Sequence, residues 1–129
     1  LSKRAYLKSG AYLVIEPTEA MTVIDVNSGK SIKGKNAEEQ FLKINIEAAK
    51  EIARQLRLRN ISGIVMIDFI NMKEDTHNQE LVKRLAEFVR TDPVRTTVVD
   101  MTKLGLVELT RQKGKRALHE VFSENNRLT

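Results

Sequence analysis

Apolar and polar residues alternate over two short stretches near the start of the chain, and two such stretches joined by a turn predict a β-hairpin. Residues 11–16, AYLVIE, make the first and residues 21–26, MTVIDV, the second. Pro17 to Ala20 supplies the turn between them, with the proline presetting φ. Asn27 to Lys30 follows as a loop whose Asn and Gly suit positive φ, and the basic, polar stretch Ser31 to Ala37 prolongs it. From about Glu38 to Arg59 the apolar period becomes helical, through Phe41, Leu42, Ile46, Ala49, Ile52, Ala53 and Leu56. Arg54, Arg57 and Arg59 complement the dipole at that helix's end, and Asn60 suits its cap. Residues 64–69, IVMIDF, are apolar up to Asp68 and predict a central strand covered on both faces. A second helix is expected from about Thr76 to Arg90, on a stripe of Leu81, Val82, Leu85, Phe88 and Val89, and Asp92-Pro93 stops it. Two further strands, 94–99 and 104–109, and a short helix from Lys115 to Phe122 complete the order ββαβαββα. That order predicts an α/β fold with a mixed sheet flanked by helices, as a single domain over residues 1–129.

Composition narrows the chemistry. The 129 residues are 41% hydrophobic and 30% charged, enough for one core beneath a solvated surface. No apolar run approaches the roughly 18 residues of a membrane span. Leu1 to Gly10 is basic but lacks the apolar run and cleavage site of an export signal, so a cytoplasmic location is expected. The chain starts at Leu1 rather than Met, as an internal piece of a longer protein would. The absence of cysteine removes disulfides, zinc-thiolate sites and cysteine nucleophiles together. With two histidines, His77 and His119, any metal must be held mainly by oxygen, which favours Mg²⁺, Mn²⁺ or Ca²⁺. A net charge of +5 fits a polyanionic partner such as nucleic acid.

Two acids stand where apolar residues are expected. Asp25 interrupts the run Val23-Ile24-Asp25-Val26, and Asp68 ends Ile64-Val65-Met66-Ile67. A lone ionised carboxylate in a core strand costs several kcal/mol, so roughly that much compensation is needed. One reading is a shared hard cation, since ligands gather beyond the carboxyl ends of strands in α/β sheets. The other is that each Asp caps a helix or accepts nearby backbone amides. Asn27, two residues after Asp25, projects to the same side and suits contact with a phosphate or an attacking water. A divalent metal that activates water and neutralises phosphate charge makes phosphodiester hydrolysis the reaction that fits acids on a basic surface.

Four segments carry a resemblance. They are residues 10–30, GAYLVIEPTEAMTVIDVNSGK; 45–60, NIEAAKEIARQLRLRN; 63–72, GIVMIDFINM; and 104–112, LGLVELTRQ. In order and spacing they resemble the signature blocks of the ribonuclease E/G family of bacterial endoribonucleases. The resemblance implies a deoxyribonuclease-I-like subdomain that cuts single-stranded RNA and leaves 5′-phosphate and 3′-hydroxyl ends. It implies that Asp25 and Asp68 hold Mg²⁺, with Mn²⁺ as a substitute, and that Asn27 contacts the scissile phosphate or orients the water. Arg95 falls where the family places a basic residue near RNA. Asn71 departs from the pattern, standing where the family usually has a second Asp. The family's Cys-Pro-x-Cys zinc link, its OB-type RNA-binding domain and its 5′-end sensor are expected outside this stretch, and the whole enzyme is expected to be a homo-oligomer.

The remaining polar residues divide between binding and solvation. Lys30, Lys33 and Lys35 follow Asp25 closely and suit mobile phosphate guides, or form a solvated loop. Arg54, Arg57 and Arg59 make either an RNA-tracking patch or a solvated helix face. Arg111, Lys113, Lys115 and Arg116 form a second basic cluster, for RNA or a neighbouring subunit. Glu108 suits a structural role or support of the metal ligands, with the second favoured; His77 either reaches the site or, the favoured reading, is solvated at a helix start, and His119 is expected at the surface. The rival to an enzyme core is a scaffold or oligomerisation module without catalysis of its own.

Overall fold

Every second residue of the central strands points to one side and is buried there, the pattern of a sheet covered on one face. The computed structural model describes residues 2–113. In chain order they form β1 (Lys3–Tyr6), β2 (Tyr12–Pro17), β3 (Thr22–Asn27), α1 (Ala37–Leu58), β4 (Gly63–Asp68), α2 (Asp75–Arg90), β5 (Thr96–Met101) and β6 (Leu106–Arg111). The strands make one mixed sheet in the order β1-β2-β3-β4-β6-β5. β3 and β4 are parallel, and the other neighbouring pairs are antiparallel. The expected helix over 115–122, and His119 with it, lies outside the described residues.

The inward set is Leu13, Ile15, Ile24, Val26, Val65, Ile67, Val107 and Leu109. It joins Ile44, Ala48, Ile52 and Leu56 of α1 and Leu81, Leu85 and Val89 of α2 in a single cluster. Both helices therefore lie side by side on one face. The opposite face carries Val14, Val23, Asp25, Met66, Asp68 and Glu108, none of them buried. This corrects the expectation that β4 is covered on both sides. Its continuous apolar run arises because Ile64, 41% exposed, and half-buried Met66 stand on the open face.

β1 was not foreseen. It is an edge strand with one buried residue, Ala5, so it shows no alternation, and its Lys3 and Arg4 are what an edge strand uses to discourage further pairing. β5 and β6 each begin two residues later than the pattern predicts. Val94 is held in the preceding turn, donating its N–H to Asp92 Oδ1 at 2.8 Å. Leu104 and Gly105 make the β5–β6 turn, in which Gly105 has φ 87° and donates to Thr102 O at 3.1 Å. At the end of α1, Asn60 takes φ 51°, and Ile61 N–H reaches back to Leu56 O at 2.9 Å, closing the helix as a left-handed cap.

Direction within the sheet fixes where chemistry collects. β3, β4 and β5 run one way, and each helix starts just after β3 or β4 ends. The carboxyl ends of β3 and β4 and the N-termini of α1 and α2 thus share one end of the sheet. Gly63, Thr96 and Arg111, register partners through β6, mark the other end.

Candidate metal centre

Asp25 and Asp68 are register partners across the parallel β3–β4 pair. Neighbouring strands lie about 4.8 Å apart, so two side chains opposed on one face are immediate neighbours. Both point away from the helices. Asp25 is half-buried and Asp68 exposed. Neither joins the ion pairs found among the described residues. Burial first, and the Asp68 charge second, push the Asp25 carboxyl above its ordinary value, while the Val26 N–H pulls the other way. Two like charges are thus held together with no cation from the described residues paired to either. Asn27 stands on the same face, one further pair along β3, opposite Tyr12 of β2.

This donor set fits a hard cation of a particular kind. Among the described residues no group of three or more His, Cys, Asp or Glu is arranged to hold a metal. A closed zinc or calcium cage needs more protein ligands than two. Mg²⁺ commonly takes one or two carboxylates and fills its remaining positions with water and substrate phosphate. An exposed pair at the sheet's open face has room for both.

Buried and clamped residues hold the frame. Asn45 of α1 is fully buried, and its amide pairs twice with Ile70, giving Nδ2–H to Ile70 O at 2.8 Å and accepting Ile70 N–H at 3.0 Å. It therefore fixes the segment that leaves Asp68. Glu38 of α1 accepts the N–H groups of Lys73 and Glu74, each at 3.1 Å, and meets His77 Nδ1 at 2.9 Å. His77 is thus half-buried against Glu38, rather than solvated as expected, and serves the α1–α2 junction. Burial raises the Glu38 carboxyl, but the two N–H groups and His77 outweigh it and leave it below its ordinary value. Gly29, at φ 80°, passes so close to Gly10 O that a Cβ would overlap it, which seats the β3–α1 loop on the β1–β2 turn.

The other sequence-predicted residues separate. Lys30 and Lys33 are exposed on the loop after β3, at the same end as Asp25 and Asp68. Glu108 shares their face but pairs with Met66, one rung further from that end, and Asp100 of β5 stands opposite it. Asn71 is exposed just past Asp68, within 4 Å of the position a Cβ on Gly105 would take. Arg95 is exposed, but at the opposite end of the sheet, about five residues or 16 Å along the strands from the Asp pair. Arg111 corrects an expectation: it is 3% exposed, and its guanidinium is committed inside the protein. It donates Nε–H to Asp92 Oδ2 at 2.8 Å, Nη2–H to Asp92 Oδ1 at 3.2 Å, and Nη1–H to Asn60 Oδ1 and Ile61 O at 3.1 and 3.0 Å. Four of its five N–H donors are thus spent inside the protein, at the end of the sheet away from the Asp pair.

A group absent from the sequence reading lies beside the centre. Arg4, Tyr6 and Tyr12 share the open face on β1 and β2, with the Arg4 guanidinium 4.6 Å from the Tyr12 ring centroid. The signal for them was slight, a tyrosine two residues after an arginine in a four-residue edge strand.

The class these features define is an open, mixed α/β sheet that sets two carboxylates side by side at the ends of parallel strands. The profile of the ribonuclease E/G family matches residues 1–114, and the chain belongs to that family. It is 46% identical to ribonuclease G of Haemophilus influenzae, over 96% of this chain and 25% of that protein. It is 48% identical to ribonuclease E of Synechocystis, over 96% of this chain and 18% of that protein. Ribonuclease G of Escherichia coli K12 is 42% identical over 95% of the chain and 25% of its own length. The chain thus spans about a fifth to a quarter of these relatives. No helix among the described residues is long and apolar enough to cross a membrane.

Proposed function

We propose that this chain is the metal-binding catalytic core of an endoribonuclease that hydrolyses single-stranded RNA and leaves 5′-phosphate and 3′-hydroxyl ends. The observation that carries the reading is the register pairing of Asp25 with Asp68, two carboxylates on an open sheet face with no ion-pair partner among the described residues. Asp25 and Asp68 would hold Mg²⁺ or Mn²⁺. When bound, such an ion supplies a nucleophilic water near neutral pH and offsets charge on the phosphodiester. Asn27, with an amide N–H₂ and a carbonyl on the same face, orients that water or donates to a phosphate oxygen. Lys30 and Lys33 draw the phosphate backbone toward this end of the sheet as mobile point charges. Because water rather than the 2′-hydroxyl attacks, the 3′-oxygen leaves as a hydroxyl and the phosphate stays on the 5′ side of the downstream product. Homo-oligomerisation of the whole enzyme belongs to the same proposal.

The test is cleavage of a single-stranded RNA by the protein as its gene encodes it, with Asp25→Asn and Asp68→Asn as variants. Each is expected to lose at least about a hundredfold in rate while keeping the wild-type circular dichroism, the scale of removing one preorganised charge-stabilising group. Manganese binding to the wild-type chain, followed by relaxation of water protons, should weaken in both. Full activity in either variant overturns the assignment.

A further inference from the structure

The sheet's open face holds a second feature beside the Asp pair, and it is aromatic. Tyr6 of β1 and Tyr12 of β2 are register partners with ring centroids 5.5 Å apart, tilted by 43°. The Arg4 guanidinium lies over the Tyr12 ring at 4.6 Å and gives Nη1–H to the Tyr6 hydroxyl at 3.4 Å. Arg4 thus braces Tyr12 and leaves Tyr6 outermost, 67% exposed. A tyrosine that contributes so little to the core is unexplained by folding. The register places it: Tyr6 faces Tyr12, Tyr12 faces Asn27, and Asp25 lies two residues from Asn27 on the same face. Tyr6 is thus two strand spacings, about 10 Å, from Asn27.

Resting on the nuclease reading above, we infer that Tyr6, braced by Tyr12 and Arg4, is a stacking platform for an unpaired RNA base one or two nucleotides from the phosphate held at Asp25 and Asp68. An aromatic ring set in a basic surface takes any base by its π-face and needs no sequence readout. The surroundings have the required charge, since Arg4 on β1, Lys8 in the turn after it and Lys30 and Lys33 beyond β3 are all exposed. Arg4 retains N–H donors beyond the one turned to Tyr6, which suit a neighbouring phosphate. A duplex keeps its bases stacked on each other and presents no free face to the ring. The platform therefore gives a physical cause for choosing single-stranded RNA, which the carboxylates alone do not.

The chain's own composition provides the readout. It has two tyrosines and no tryptophan, so its intrinsic emission comes from Tyr6 and Tyr12 alone. Titrating the chain in Mg²⁺ buffer with a short oligouridylate is expected to quench that emission to saturation. An abasic ribose-phosphate oligomer of equal length and charge should quench little. Tyr6→Ala, at an exposed position, should keep the fold and weaken oligouridylate binding by roughly tenfold, the scale of one stacked base, while Tyr6→Phe stays within about twofold of wild type, as retained stacking requires. Absence of quenching, equal quenching by the abasic oligomer, or unchanged affinity in Tyr6→Ala overturns the platform. Asp68→Asn separates this inference from the nuclease reading: it should abolish cleavage and keep base-dependent quenching. Cleavage surviving in Asp68→Asn sinks the nuclease reading, and loss of quenching with cleavage still dependent on Asp68 sinks the platform alone.

Discussion

Asn45, Arg111 and Asp92 are enclosed polar side chains, and each holds a neighbouring segment in place. Asn45 satisfies both backbone groups of Ile70 from inside the core. Removing one partner of a buried hydrogen bond strands the other, at about 1–3 kcal/mol for each group left unpaired. Asn45→Ala should therefore cost about 2–6 kcal/mol in urea unfolding and should loosen the segment after Asp68, read as faster amide exchange at Ile70. A wild-type exchange rate at Ile70 would show that this clamp is dispensable. At the other end of the sheet, Arg111 and Asp92 face each other with side chains 3% and 1% exposed. Arg111→Met leaves a buried carboxylate without its partner, and a loss of about 3–5 kcal/mol is expected. In the molecules that remain folded, RNA affinity should be unchanged, because the guanidinium is 3% exposed and spends four of its five donors inside the protein. Weakened RNA binding at unaltered stability would restore Arg111 to the RNA surface.

Between elements, the junctions that hold α1, α2 and β6 in place are made by carboxylates, so they are sensitive to acid. Burial raises the Asp92 carboxyl, and the Arg111 hydrogen bond, the Val94 N–H, the Arg111 charge and Thr96 together outweigh it, leaving it below its ordinary value. Glu38 is lowered in the same way by Glu74, Lys73 and His77. A carboxyl whose folded pKa is depressed binds its proton less readily folded than unfolded. Its contribution is complete above the ordinary carboxylate range and is lost as pH falls through about 4 and below. Unfolding midpoints measured from pH 6 down to pH 3 should fall most steeply below about pH 4, and Glu38→Gln should flatten part of that slope. An identical pH profile in Glu38→Gln would remove Glu38 from the account. None of these junctions was legible in the sequence, because Asp92 reads as a turn residue, Glu38 as ordinary first-turn acid and Arg111 as one of a basic run. The elements themselves were legible where packing and local pattern agree, as in α1, whose buried Ile44, Ala48, Ile52 and Leu56 keep a strict helical period. β1 was not, since one small buried residue carries no period.

Across the whole molecule, stability and function oppose each other at the open face. The sheet could have been closed by apolar residues on both sides, and Ile64, Val23 and Met66 go part of the way. At the carboxyl ends of β3 and β4 it instead carries two opposed acids. The sequence disclosed these two because charge breaks an apolar run. It could not disclose that they are register partners, which depends on strand order, nor that Tyr6 and Arg4 lie on the same surface. Like charges directly opposed across neighbouring strands destabilise by a few tenths to about 1 kcal/mol, and such local conflict is expected where a site is built for a ligand. Asp68→Asn removes one charge and should therefore raise the melting temperature of the metal-free chain, by up to about 4 °C. With Mg²⁺ added the order should reverse, because an ion that binds the folded state alone stabilises it by mass action and the variant has lost half of its carboxylate donors. Melting curves of both proteins in chelator and in a magnesium series would show the crossing. Parallel curves, with the variant neither stabilised without metal nor deprived of the magnesium response, would mean that the two aspartates neither repel each other nor share a cation.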